Sequence, residues 1–272
     1  MGLIQAIVYG VVQGLTEFLP ISSSGHLLVL PAVLGWEDPG AGFTAVIQIG
    51  TVAAVLIFFR RELWAALRDW AASLTDKSKR GTEGAVLGWA ILLGTIPIVV
   101  LGLLLEEKID TTFRSPLVVA GMLVGVALVM LAAEKLGKRE RALETVRIKD
   151  GIIIGLWQVL ALVPGASRSG ATIAGGMFAG FDRPTAAKFS FLLSVPSVFG
   201  AGVYKLLKDV DKIADAGVAE TVVATLVAFA TGYAAIAFLI RYLQTHSVAV
   251  FVVYRIALGG TIAALAVQGI IG

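Results

Sequence analysis

The chain of 272 residues contains no cysteine, which excludes disulfides and thiol chemistry altogether. Charge is also scarce: Asp, Glu, Lys and Arg make up 15% of the residues, against about 25% in an average soluble domain. Histidine occurs only twice, so each imidazole placed among apolar residues carries weight. No tract has the composition of a linker, a soluble domain or a low-complexity tail. Residues 2–19 are apolar but lack a basic flank and a small-residue cleavage site, which argues against a signal peptide.

What fills the chain instead is apolar. Hydrophobic residues reach 57% and the mean hydropathy is +0.88. Runs near the roughly 20 residues that span a bilayer recur at 43–59, 85–105, 116–133, 185–204, 221–240 and 249–271. The expected fold is therefore an all-α polytopic membrane protein, one integral domain over residues 1–272. Lys and Arg concentrate in the segments 60–84 and 134–150, whereas 106–115 has only Lys108 and Arg114. The positive-inside rule then places the loops near Lys77 and Arg139 in the cytoplasm, and Glu107 and both termini outside. The loop after Tyr204, with Lys205, Lys208 and Lys212, conflicts mildly with that count. The net charge of +3 follows from this topology, and no nucleic-acid partner is expected.

Against that background, residues 164–172 read Pro-Gly-Ala-Ser-Arg-Ser-Gly-Ala-Thr. A cation there costs about 2.5–3.5 kcal/mol on insertion scales, so something must offset it. Ser167, Ser169 and Thr172 supply hydroxyls, and Gly165 and Gly170 free the backbone, so the segment has the chemistry of a phosphate cradle. A shift of 145 residues superposes Gly10 on Gly155, Gln13 on Gln158, Ser22 on Ser167, Ser24 on Ser169 and Gly25 on Gly170. This predicts a duplication, with repeat 1 over about 1–134 and repeat 2 over about 150–272. Three spans lie between the copies, so their orientations are inverted, each half being a re-entrant broken helix pair plus three transmembrane helices. The alternative is two ordinary hairpins with unrelated turns.

The first copy supplies complementary groups. Gln13 and Glu17 are spaced i, i+4, Pro20 breaks the helix, and Ser22-Ser23-Ser24-Gly25-His26 follows. A second cation, Arg255, interrupts the last span. Each has a plainer reading: Glu17 as a structural ion pair, His26 as a core histidine, the serines as half-helix caps, Arg255 as a snorkelling side chain.

These two motifs together resemble the bacterial undecaprenyl-diphosphatase, or bacitracin-resistance, family, and the resemblance covers essentially the whole chain. The chain departs from the commoner family pattern in having Gln13 for Glu and Ser24 for Thr. The resemblance implies a membrane phosphatase that converts undecaprenyl diphosphate to undecaprenyl phosphate, recycling the carrier for cell-wall peptidoglycan synthesis and conferring bacitracin resistance. It implies a bacterial inner-membrane location, an extracytoplasmic active site and a divalent cation, Mg²⁺ or Ca²⁺, with Glu17 as its ligand. Glu17, Ser23, His26 and Arg168 are then the expected catalytic residues, with either Ser23 or His26 as nucleophile. Gln13, Ser22, Ser24, Gly165, Ser167, Ser169, Thr172 and Arg255 are the expected substrate-binding residues. The partners are the polyprenyl diphosphate and membrane lipids, with a homodimer as the candidate assembly. The competing class is a carrier or flippase for a polyprenyl phosphate or another organic anion, which needs charge complementarity but no nucleophile.

Overall fold

The computed structural model describes residues 1–208 and 217–271. The loop reading around Lys212, Asp209, Asp211 and Asp215 lies outside the described residues. Among these the chain is helical: α1 (Leu3–Phe18), α2 (Ser23–Leu34), α3 (Gly40–Phe58), α4 (Arg60–Thr75), α5 (Glu83–Leu104), α6 (Glu106–Asp110), α7 (Pro116–Leu136), α8 (Ile148–Gln158), α9 (Arg168–Phe178), α10 (Arg183–Lys208), α11 (Val218–Leu243) and α12 (Ala249–Val267). Five of them are long and apolar enough to cross a membrane, six if the bent α3–α4 pair counts as one span. They coincide with the expected runs to within a few residues. The last ends at Val267 and not at Ile271, because Gln268 caps it and Gly269 takes a positive φ of 69°.

The segment 60–84 holds more structure than a loop. After Phe59 the chain turns by 80° into α4, which runs across the start of α5. Trp64, Leu67 and Leu74 lie exposed on one side, and Trp70 and Ser73 pack against Trp89 on the other.

Helix pairing is set by small residues, as expected where lipid tails give no hydrophobic drive to association. Gly10 and Gly14 of α1 lie against the carbonyls of Ala224 and Ala228 in α11, and a Cβ at either would stand 2.5–2.6 Å from those oxygens. Gly151 and Gly155 of α8 lie against Ala90 and Gly94 of α5, where a Cβ would meet the carbonyls at 2.2 and 2.1 Å. Gly10 and Gly155 are the same position under the 145-residue shift. Gly155→Val therefore forces α8 off α5, and we expect a loss of about 1–3 kcal/mol, read as a fall of several degrees in the thermal midpoint in detergent. An unchanged midpoint would show that the two helices do not touch there.

Two helices end in mid-fold. α1 stops at Phe18 and α8 at Gln158, and after short turns α2 and α9 begin at Ser23 and Arg168. In both turns the N-cap is a serine at positive φ, Ser22 at 75° and Ser167 at 66°. Such a backbone costs a non-glycine residue about 1–3 kcal/mol, and residues of this kind cluster at functional sites. Each cap accepts the N–H of the third residue of its helix, Gly25 at 3.3 Å and Gly170 at 3.2 Å. The ends of each pair stay together. Tyr9 of α1 packs on Trp36 just past α2. Arg141 bonds both Asp150 at the start of α8 and the Ala179 carbonyl just past α9.

Candidate active site

The two breaks meet at Glu17. Its Oε2 accepts from Gln13 Nε2 at 3.0 Å and from Ser23 Oγ at 3.0 Å, and its Oε1 accepts from Arg168 Nη2 at 3.1 Å. The i, i+4 spacing on α1 makes the first contact, while the turn through Pro20 and Ser22 brings Ser23 back over the same carboxylate. Arg168 arrives from the other half of the chain. It takes the position in α9 that Ser23 takes in α2, one residue after the N-cap serine. The two breaks thus present a hydroxyl from one and a guanidinium from the other. Both side chains of the ion pair are nearly buried, at 9% and 7% exposure. A buried pair of this kind is weak evidence for stability, because desolvation offsets its Coulombic gain.

The pairing leaves capacity unused. Gln13 must present its amide nitrogen to Glu17, which directs its Oε1 elsewhere, and that oxygen is buried with no partner among the described residues. Arg168 Nε is likewise buried without a partner, and Nη1 only reaches the Ser190 carbonyl at 3.4 Å.

Beside these groups lies a cavity of about 510 Å³. Glu17, Ser23, Ser24, Ser167 and Arg168 line its polar part. Ile98, Val99 and Leu103 of α5 and Pro196, Val198 and Ala201 of α10 line the rest, out to Glu106 and Tyr204. Thr16, Gln48 and Ser197 also face it.

Other expected residues serve the breaks themselves. Ser24 Oγ accepts from Gly165 N at 3.0 Å, and Ser169 Oγ donates to the Leu19 carbonyl at 3.2 Å, so each break stitches the other's turn. Gly165 needs to be glycine, since its φ is 91° and a Cβ would lie 2.3 Å from the Val119 carbonyl. Thr172 bonds the Arg168 carbonyl at 2.7 Å and Ser190 Oγ at 2.6 Å. Ser22 and Ser167 are caps whose hydroxyls also lie 3.1 Å from Ser24 and Ser169.

His26 and Arg255 stand apart. His26 Nδ1 lies 2.7 Å from the Ser22 carbonyl, which can only accept, so Nε2 is the acceptor for Tyr254 Oη at 2.6 Å. The two rings stack 5.6 Å apart. Glu17 therefore holds Ser23 and does not orient His26. Arg255, expected among the substrate-binding residues with snorkelling as its plainer reading, is fully buried, and its guanidinium is bonded to backbone carbonyls.

Ser190 and Tyr254, which position Arg168 and His26, carry no motif. Their only sequence signal is a polar group in an apolar helix. Among the described residues no three His, Cys, Asp or Glu side chains converge as a metal site.

Comparison with known proteins gives a consistent answer. The family described as "Bacitracin resistance protein BacA" matches residues 6–261. An undecaprenyl-diphosphatase of Chloroherpeton thalassium is 52% identical, covering 99% of this chain and 98% of its own length. One of Thermobifida fusca is 50% identical over 100% of this chain and 92% of its own length. One of Chlorobium limicola is 48% identical over 100% and 99%. With a family match across nearly the whole chain and relatives near half identity, this protein belongs to the bacitracin resistance protein BacA family.

Proposed function

We propose that this chain is an undecaprenyl-diphosphate phosphatase that returns the lipid carrier as its monophosphate. The observation that carries the reading is the convergence of Ser23 and Arg168 on one carboxylate at the polar end of a largely apolar cavity. A diphosphate lipid has that polarity, a polyanionic head on an isoprenoid tail. The N-termini of α2 and α9 both open on the site, and their backbone dipoles favour phosphate there.

In this reading Ser23 Oγ attacks the terminal phosphorus and gives its proton to Glu17. The bond from that phosphorus to the bridging oxygen breaks, undecaprenyl phosphate leaves, and water later cleaves the phosphoserine to free phosphate. Arg168 turns from Glu17 toward the transferring phosphoryl oxygens, where its unpaired Nε gives it a second donor. The buried, unpartnered Gln13 Oε1 beside Glu17 offers hard oxygen donors suited to Mg²⁺ or Ca²⁺, with substrate oxygens completing the set. Such an ion, when bound, neutralises charge on the phosphates.

The matching cap geometry of the two breaks and the shared packing role of Gly10 and Gly155 support an inverted repeat with two re-entrant pairs. Lys138, Arg139, Arg183 and Gln244 lie together at one end of the fold, and Glu106 and Tyr204 at the other, beside the cavity. Combined with the positive-inside rule, this supports an active site that faces outward across the bacterial inner membrane. Single cysteines test it cleanly, because the native chain has none. Glu107→Cys should react with an impermeant maleimide in intact cells and Lys77→Cys only after permeabilisation. Labelling of Lys77→Cys in intact cells reverses the orientation.

Purified protein should release phosphate from undecaprenyl diphosphate in detergent, lose that activity in EDTA and regain it with Mg²⁺ or Ca²⁺. Absence of release, with transfer of the lipid between leaflets of a proteoliposome, would make the protein a carrier.

A further inference from the structure

Arg255 sits in α12, far in sequence from both motifs, and is fully buried. Nε donates to the Leu123 carbonyl at 3.1 Å and Nη1 to that of Pro20 at 3.3 Å. Nη2 lies 3.3 Å from the Met122 carbonyl, 3.0 Å from that of Gly165 and 2.9 Å from that of Ala166. Leu123 and Met122 belong to α7, whereas Pro20 precedes Ser22 and Gly165 and Ala166 precede Ser167. One planar fork therefore holds the turn in front of each half-helix against one spanning helix.

Carbonyls freed by a helix break at membrane depth must find donors within the protein. Five carbonyls from three segments surround the guanidinium, one at Nε, one at Nη1 and three sharing the two N–H groups of Nη2, a spread that an ammonium or an amide cannot serve in that geometry. Among the described residues no carboxylate pairs with this charge, which is held by carbonyl dipoles. Arg255 is fully buried and does not line the cavity, so it does not act on substrate directly.

We propose that Arg255 is a positioning residue: it fixes the separation of the two breaks, so that Ser23 and Arg168 meet at Glu17. The cross-stitches Gly165 N to Ser24 Oγ and Ser169 Oγ to Leu19 O run beside the same turns and share that task. The proposal rests on the phosphatase reading of the site, and its consequence is kinetic. A shift of about 1 Å between reacting groups lowers the chemical rate by roughly 100-fold while leaving the binding surface in place.

The experiment compares wild type with Arg255→Lys and Arg255→Met, each first checked for a monodisperse elution profile in detergent. Both variants should lose about 100-fold in kcat for undecaprenyl diphosphate. Their KM should move less than about threefold. A KM that rises at constant kcat would make Arg255 a substrate contact, and an unchanged kcat in Arg255→Lys would overturn the clamp. That variant decides the matter should the methionine chain fail to fold. A second arm needs no turnover: Ser23→Cys is labelled by a thiol reagent with and without Arg255→Lys. Loosened turns should change the labelling rate about tenfold, in line with a local opening. Equal rates would overturn the clamp even if the wild type released no phosphate, whereas altered rates with an inactive wild type would sink only the phosphatase reading.

Discussion

Ser23→Ala should abolish phosphate release, by roughly 10³-fold or more, while leaving binding of the diphosphate lipid close to wild type. The argument is geometric. Among the hydroxyls of the two breaks, Ser22, Ser24, Ser167, Ser169 and Thr172 are engaged in caps, stitches and helix carbonyls. Ser23 instead points its proton at a carboxylate, 3.0 Å from Glu17 Oε2, at the N-terminus of α2. That is the arrangement of a nucleophile with its base. Acid quench during turnover should trap label on serine, which survives acid. Acid-labile label that disappears in His26→Ala would transfer the role to His26. Full activity in Ser23→Ala would reduce Ser23 to a half-helix residue without chemistry.

The geometry also changes what His26 can do. Its Nδ1 is tied to the first turn of α2 and its Nε2 to Tyr254, so in the neutral tautomer neither nitrogen is free to take a proton from Ser23. Its contacts instead link the turn at Ser22 to α12, the helix that carries Arg255. A loss of activity in His26→Ala then follows from a shifted half-helix, and it should be mirrored by Tyr254→Phe, which removes the same hydrogen bond.

Much of this was legible in the sequence for identifiable reasons. Spans are long and uniformly apolar, so the expected runs fall within about three residues of the ends of Glu83–Leu104, Pro116–Leu136 and Val218–Leu243. The breaks were legible because proline, glycine and serine fall together where a helix would otherwise continue. What stayed hidden depends on packing between distant segments. Glu17 and Arg168 are 151 positions apart, and neither residue's surroundings name the other. Arg255 looked like a ligand contact because charge in a span signals function, yet its partners are carbonyls, which every residue carries. α4 was missed because Arg60, Arg61 and Arg68 mark it as polar, although its apolar residues sit on two sides of a regular helix.

Arg168→Lys should lose roughly 100-fold in kcat although the charge is retained. In the resting site Arg168 uses one nitrogen on Glu17 and a second, weakly, on the Ser190 carbonyl, and keeps Nε unpaired. A guanidinium that pivots about this anchor can offer two parallel donors to phosphoryl oxygens, which a lysine ammonium cannot. The loss should therefore appear mainly in kcat, with a smaller rise in KM. Glu17→Gln separates the two duties of the carboxylate: it removes the base for Ser23 and also frees Arg168. If proton transfer dominates, Glu17→Gln is as severe as Ser23→Ala, and the double variant with Arg168→Lys is little worse than Glu17→Gln alone, since residues acting as a unit are not additive. Full activity in Arg168→Lys would mean that Arg168 acts as a point charge only. Multiplicative losses in the double variant would mean that Glu17 and Arg168 contribute independently, the first to the proton and the second to the phosphate.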